Sequence, residues 1–281
     1  MEDNSQFKSY NNFIKRDDKK FLHGGIRLKG ALKNSSDQKP LISVITVVLN
    51  GDKYLEENFE SIHNQNYKNF EHIIIDGGSK DKTLDIIGSK NHLIDYWISE
   101  TDDGIYDAFN KGLKLCRGDY IVFINSDDRL YDQNVFKTVI EYFKNNKEID
   151  FIFGPVRKHW GLVHGYKPWK LKFSWGFYSS HSTGFFIKKN SAKKIGLYNL
   201  KYKYSADYDY FYRMIVHLKM KGVSAKKNEI FGIFRRGGFS STVSFLDHFF
   251  ETIKIRLDNK QNKFIVLIIF ILKYLKNFKK F

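Results

Sequence analysis

The sequence predicts an α/β fold: a mainly parallel twisted sheet with helices on both faces, plus a C-terminal helical tail. Three observations predict it. Short apolar, β-branched runs alternate with segments of helical spacing along most of the chain, the pattern of successive βαβ units. The runs are apolar throughout, as in strands covered on both faces. Three of them end in acids: Asp76, then Glu100, Asp102 and Asp103, then Asp127 and Asp128. In an open α/β sheet the carboxyl ends of neighbouring strands form one crevice, where ligands bind. Carboxylates gathered there repel each other, and a divalent cation or a hydroxyl-rich ligand offsets that repulsion.

Residues 1–39 are polar, charged and aperiodic, and read as an N-terminal extension that folds over the domain or forms a flexible arm. Pro40 ends it. One domain is expected over 40–240, divided near residue 130, and a tail over 241–281. Residues 41–49, interrupted only by Ser43 and Thr46, read as a buried parallel strand. Asn50-Gly51 turns the chain. Leu55, Phe59 and Ile62 then recur at helical spacing. A strand at 70–75 leads to a helix start at Asp81-Lys82-Thr83-Leu84. A strand at 96–99 precedes a helix at 105–115. After the turn Arg117-Gly118-Asp119 come a strand at 120–124, a helix at 135–143 and a strand at 151–153. Residues 155–186 are aromatic and irregular, 205–220 are helical, and a basic apolar helical tail follows Gly238. No internal repeat is present.

The chain of 281 residues, 42% of them hydrophobic, suffices for one well-packed domain with appendages. The single Cys116 excludes an internal disulfide and reads as a helix-packing thiol. Met1 to Gln6 lack the apolar core of a signal peptide, so a reducing, cytoplasmic setting is expected. Net charge is +16, from 47 basic and 31 acidic side chains. It reflects a polyanionic partner or a Lys-rich bias. No nucleic-acid partner is expected, because the strand ends are acidic and no recognised binding module interleaves the basic residues. The apolar run 264–272 is too short to span a bilayer. From Lys254 onward eight Lys or Arg face one acid, Asp258. That pattern suits a helix lying in an anionic membrane interface, which would make the protein peripheral at the inner face of the membrane. Packing on the protein or on a second subunit of a homo-oligomer is the alternative.

The chemistry-bearing segments form a set in chain order: Ile45-Thr46-Val47-Val48-Leu49-Asn50, then Asp76-Gly77-Gly78-Ser79-Lys80-Asp81-Lys82-Thr83, then Asn125-Ser126-Asp127-Asp128. Together they resemble the nucleotide-sugar half of family-2 glycosyltransferases of the A-type, Rossmann-like fold. The stretch from Glu100 through Gly104-Ile105-Tyr106-Asp107-Ala108-Phe109-Asn110-Lys111-Gly112 is similar to bacterial members that build surface polysaccharides of the colanic-acid type. The resemblance covers about residues 41–240, with the nucleotide-sugar half at about 40–130 and the acceptor half at about 131–240.

The resemblance implies roles. Thr46, Val47 and Asn50 would hold the base through backbone groups. Asp76 would accept the imide N–H of uracil or thymine, since an ionised carboxylate is purely an acceptor. Gly77 lets the backbone turn close to the ligand. One of Asp102 and Asp103 would lie near nucleotide or sugar. Asn110 falls on the next helix with Lys111, which meets phosphate or sugar as a point charge or is a solvated helix lysine. Asn125-Ser126-Asp127-Asp128 occupies the place of the family's Asp-x-Asp metal motif, with Asn125 where the first Asp often stands. Mg²⁺ or Mn²⁺ is the implied cofactor, with Asp127 or Asp128 as ligand. Ser205-Ala206-Asp207-Tyr208-Asp209 aligns Asp207 with the general base of an inverting enzyme. Asp209 and Arg213 sit at i, i+4 and read as an ion pair. His181, Arg235 and Arg236 are expected on the acceptor or diphosphate side, the arginines in a closing loop.

The implied reaction is sugar transfer from a nucleoside-diphosphate sugar, UDP-linked by expectation, to a saccharide or lipid-linked saccharide. A catalytically inactive sugar-nucleotide-binding or scaffold protein and a nucleotidyltransferase are the alternatives.

Overall fold

A computed structural model describes residues 21–173, 180, 182–238 and 243–278. His181 lies outside the described residues. Among these, the main sheet has eight strands in the order β1-β4-β3-β2-β5-β10-β7-β11. They are β1 (Leu22–Gly24), β2 (Ile42–Val48), β3 (Phe70–Asp76), β4 (Tyr96–Ser99), β5 (Tyr120–Phe123), β7 (Phe151–Phe153), β10 (Phe185–Lys188) and β11 (Gly222–Ser224). Strands β4, β3, β2 and β5 run parallel. Strand β1 is antiparallel to β4, and β10 is antiparallel to both β5 and β7. Every residue of β2 is buried, as its unbroken apolar run implies.

The crossover helices are α1 (Asp52–His63), α2 (Thr83–Ser89) and α3 (Ile105–Leu115). From β2 the chain steps outward to β3 and β4, then returns across β2 to β5. That reversal places a topological switch between β2 and β5, and a crevice opens there at the strands' carboxyl ends. Helix α3 lies very close to β2: a Cβ on Gly112 would stand 2.4 Å from Ile45 Cγ2. One apolar core runs from Ile45 and Phe109 through Phe185 and Phe211 to Ile255. The two expected halves therefore share a core, and the tail is tied into it.

Two regions differ from expectation. Residues 155–186, expected to be irregular, contribute β8 (Val156–Lys158) and β9 (Gly161–Val163) to a small second sheet. Its order is β6-β12-β8-β9, with β6 (Arg129–Leu130) and β12 (Gly232–Ile233). Strands of two or three residues are too short to show a period of two. The extension also holds structure from Leu22 onward. Arg27, which is buried, forms an ion pair with Glu71 and donates to Leu115 O at 2.9 Å. Glu71 further accepts Ser43 Oγ at 2.5 Å and Arg117 N at 2.6 Å. Residues 22–29 are thus clamped to the sheet, and removing one partner of such a buried pair costs about 3–5 kcal/mol.

Beneath the sheet, His63 Nε2 and His72 Nδ1 lie 3.2 Å apart, and His72 Nε2 lies 3.0 Å from Thr46 Oγ1. Burial, reinforced by the charges of Lys33, Lys68 and Lys90, pushes His63 from 6.5 down to about 4. The unfolded chain therefore takes up a proton below about 6.5 that the folded chain refuses. Its stabilising contribution is complete above 6.5 and is lost as pH falls toward 4. The expected result is that His63→Gln loses less of its thermal midpoint between pH 7 and 4.5 than the unsubstituted chain. Parallel losses in the two chains would show that His63 charges freely in the fold.

The remaining helices are α4 (Val135–Asn145), α5 (Trp169–Phe173), α6 (Lys189–Ile195), α7 (Ala206–Tyr212), α8 (Phe245–Asp258) and α9 (Lys263–Lys276). Helix α9 has 14 residues, and no helix among the described residues is long and apolar enough to cross a membrane.

Candidate active site

The crevice floor is the end of β2 and the loop after β3. Thr46 and Val47, expected to hold a base, lie inside the strand and are buried, with Thr46 Oγ1 turned to His72. The accessible part of this segment begins at Leu49, 62% exposed, and Asn50. Asn50 adopts φ 50° and knits the two loops together: its N–H donates to Ser79 Oγ at 2.7 Å, and its Oδ1 accepts Lys80 N–H at 2.9 Å. Leu49 was not anticipated. Its signal is an apolar residue between a strand end and an Asn-Gly turn.

Asp76 is fully buried. Its Oδ2 accepts Gly78 N–H at 3.1 Å, Ser79 N–H at 3.0 Å and Ser99 Oγ–H at 2.5 Å, and its Oδ1 accepts Ser79 Oγ–H at 2.5 Å. The carboxylate expected to face a base is turned to its own loop instead. A carboxylate has about four acceptor sites, and Oδ1 alone keeps one of its pair. Gly77 sits against the next acid: a Cβ there would be 3.0 Å from Asp102 Oδ2. Asp76→Ala leaves four donors without their acceptor, at about 1–3 kcal/mol for each that water does not reach. The expected outcome is a lower urea midpoint together with weaker UDP binding by calorimetry. Unchanged values for both would remove Asp76 from the site.

At the end of β4, Lys111 Nζ is surrounded by Asp102 Oδ1 at 2.6 Å, Glu100 Oε1 at 2.8 Å and Asp107 Oδ2 at 3.3 Å. Burial pulls this ammonium down, but its bonds to Asp102 and Glu100 outweigh that and hold it above its ordinary value. Burial likewise raises Asp102 against the Lys111 bond. Lys111 is therefore neither a solvated helix lysine nor an open phosphate ligand; it neutralises the carboxylates. Asp103 stays exposed, its N–H donating to Asp107 Oδ2 at 3.1 Å. Asn110 does not reach the crevice. Its Nδ2 donates to Tyr198 O at 2.9 Å and its Oδ1 accepts Tyr198 N–H at 2.8 Å, which clamps α3 to the loop before α7.

The segment after β5 separates its two acids. Asp128 is buried and turned inward, accepting Thr183 Oγ1 at 2.9 Å, Ser182 Oγ at 3.3 Å and Arg235 N–H at 3.2 Å. Burial, with the Asp127 charge beside it, pushes Asp128 up to about 8. Asp128 is thus not placed as a metal ligand, because its oxygens are taken up by the protein. Asp127 is half-buried, and Asn125 Oδ1 is buried with no hydrogen-bond partner. These are hard oxygens of the kind Mg²⁺ or Mn²⁺ takes, commonly one or two protein ligands completed by phosphate and water. No group of three or more His, Cys, Asp or Glu suited to a metal exists among the described residues. The fit is to a cation shared with a bound diphosphate. Asn58 positions this loop, donating to Asn125 O at 2.8 Å and Asp128 O at 2.9 Å. A polar residue on the apolar face of α1, between Leu55 and Phe59, was the available signal.

On the opposite side, Asp207 begins α7 and is half-buried. Its Oδ1 accepts Tyr106 O–H at 3.0 Å, and that hydroxyl also lies 3.2 Å from Tyr204 O. Tyr106 was not singled out, although it stands in the Gly104-Ile105-Tyr106-Asp107 stretch. Asp209 and Arg213 form the expected pair at 2.9 Å; Arg213 Nη2 also donates to Leu197 O at 2.8 Å, and Asn259 Nδ2 donates to Asp209 Oδ1 at 2.8 Å. Both are consumed in holding α7. Arg235 stacks over Tyr54 at 4.3 Å and pairs with Glu57, and Arg236 is exposed.

A sheet with a switch-point crevice of strand-end acids, and a carboxylate facing it from a later helix, matches the model of Glycosyl transferase family 2 over residues 43–207. The chain belongs to glycosyltransferase family 2. It is 32% identical over 219 residues to the PGL/p-HBAD biosynthesis glycosyltransferase of Mycobacterium bovis (strain BCG / Pasteur 1173P2), covering 73% of this chain and 80% of that one. A glycosyltransferase of Methanocaldococcus jannaschii is 32% identical over 193 residues, covering 64% and 66%. Among solved structures, S. aureus TarS 1–349 in complex with UDP superposes with TM-score 0.63 at 18% identity, covering 84% of this chain and 72% of that one. The mannosyltransferase PcManGT from Pyrobaculum calidifontis, in complex with GDP-Man and Mn²⁺, gives 0.60 at 12%, covering 84% and 69%. At such identities the likeness concerns the A-type fold. This family-2 enzyme is a glycosyltransferase.

Proposed function

We propose that this glycosyltransferase is an inverting enzyme that moves a sugar from a UDP-sugar to a saccharide or lipid-linked saccharide in surface-glycan synthesis. The observation that carries the reading is Asp207, half-buried, held by Tyr106 and facing the crevice of strand-end acids. The donor diphosphate lies over the crevice near Asp127 and Asn125, with the base near Asn50 and Leu49. Asp102, held by Lys111, orients the sugar, and Arg235 closes over the diphosphate. Asp207 takes the proton from the attacking acceptor hydroxyl on the face opposite the leaving group. Held by Asp127 and Asn125, Mg²⁺ or Mn²⁺ supplies positive charge that offsets the charge developing on the diphosphate. The exposed apolar face and lysines of α9 support a peripheral position at the cytoplasmic face of a membrane.

The test is incubation with a panel of nucleotide sugars and Mn²⁺, reading thermal shift, released nucleotide and product anomer. A stabilising UDP-sugar, release of UDP and an inverted anomer are expected. Release of pyrophosphate would identify a nucleotidyltransferase instead, and binding with no turnover toward any acceptor would identify an inactive binding protein.

A further inference from the structure

Helices α8 and α9 border a cavity of about 570 Å³ that the proposed transfer step does not use. That volume is typical of a small-molecule site. Phe173, Phe249, Ile269 and Leu272 give it apolar walls, Lys273 and Lys276 bring cations to it, and no carboxylate lines it among the described residues. Arg256, on the same face of α8 two turns beyond Phe249, is fully buried. Its Nη1 donates to Lys172 O at 2.8 Å and Gln261 Oε1 at 2.9 Å, while Nε and Nη2 have no hydrogen-bond partner. Burial, with the Arg256 charge adding to it, pushes the Lys273 ammonium down to about 6. Buried like charges raise each other's energy, and an anion brought beside them offsets that cost.

The cavity adjoins the acceptor side of the crevice. His248, on its wall, has Nδ1 at 2.7 Å from Ser205 Oγ, and Ser205 immediately precedes the helix that carries Asp207. At the outer rim Leu272 is 61% exposed, and Leu275 beyond it is 65% exposed. A free phosphate would leave the apolar walls wet, and a neutral hydrocarbon would leave the cations unmatched. An amphiphile with a phosphate matches both.

We propose that this cavity binds the lipid end of a phosphate-bearing lipid acceptor, its chain against Phe249, Ile269 and Leu272 and its phosphate against Lys273 and Lys276. The proposal rests on the acceptor reading above and narrows it from saccharides in general to a lipid phosphate.

The test is calorimetric titration of the full chain with farnesyl phosphate, farnesol and inorganic phosphate. Farnesyl phosphate is expected to bind, farnesol about tenfold or more weakly, and phosphate alone not measurably. Lys273→Met keeps bulk and removes charge. Leu272→Glu places a carboxylate on an exposed rim position, where folding tolerates it. Each is expected to weaken farnesyl phosphate by about tenfold or more with UDP affinity unchanged. Equal affinity in both variants overturns the cavity. Phosphate binding as tightly as farnesyl phosphate reveals an ion site and overturns the lipid assignment. Binding to anionic vesicles without binding of soluble farnesyl phosphate reveals a membrane-lying surface and overturns it too. Sugar transfer is not read in this experiment. Farnesyl phosphate binding without any UDP release therefore refutes the proposed function and leaves the cavity standing, and the converse refutes the cavity alone.

Discussion

Asp207→Asn is expected to bind donor normally and to transfer sugar about 10²–10⁴ times more slowly. The substitution keeps the side chain's size, and an amide oxygen can still accept the Tyr106 O–H that holds Asp207 Oδ1 at 3.0 Å. What is lost is the proton acceptor. Asp209→Asn provides the contrast. Asp209 is buried, paired with Arg213 at 2.9 Å and bonded by Asn259 at 2.8 Å, so its loss falls on the stability of α7. Transfer rate, UDP affinity and urea midpoint are measured for both variants. Near-normal transfer by Asp207→Asn beside a folded but inactive Asp209→Asn would move the base two residues along the helix. Activity in both would place the base elsewhere.

The two acids after β5 are expected to separate in the same way. Asp127→Ala removes the half-buried carboxylate beside the orphaned Asn125 Oδ1, leaving the fold untouched. It is expected to keep its circular dichroism and melting midpoint and to lose most Mn²⁺-dependent turnover, several kcal/mol of transition-state stabilisation. Asp128→Ala leaves Thr183, Ser182 and the Arg235 N–H without their acceptor. It is expected to lower the urea midpoint, at about 1–3 kcal/mol for each buried donor left unpaired, and to loosen the Arg235 loop. Full activity of Asp127→Ala in excess chelator would show a metal-independent enzyme. An unchanged midpoint for Asp128→Ala would show that its inward bonds contribute little.

The sequence by itself determined the parallel half of the sheet, the strand-end acids and the pairing of Asp209 with Arg213. Each is a local property. An unbroken apolar run makes a strand covered on both faces whatever lies beyond it, and residues four apart on a helix are neighbours by construction. Tertiary structure decided which of those residues can act. Asp127 and Asp128 are adjacent in sequence, yet Asp128 turns inward because Thr183 and Arg235, 55 and 107 positions away, donate to it. Asn110 is spent on Tyr198, 88 positions away, and Asp207 is aimed by Tyr106, 101 positions away. Lys111 could be read from its helix as solvated or phosphate-binding, but three carboxylates converge on it only because β4 and α3 fold back on each other. The second sheet follows the same logic: its two- and three-residue strands have no period of their own and exist because distant edges supply their hydrogen bonds. Spacing along a chain fixes what a segment can become; the hydrogen-bond partners that decide what a side chain is free to do come from segments that only the packed core brings within about 3 Å.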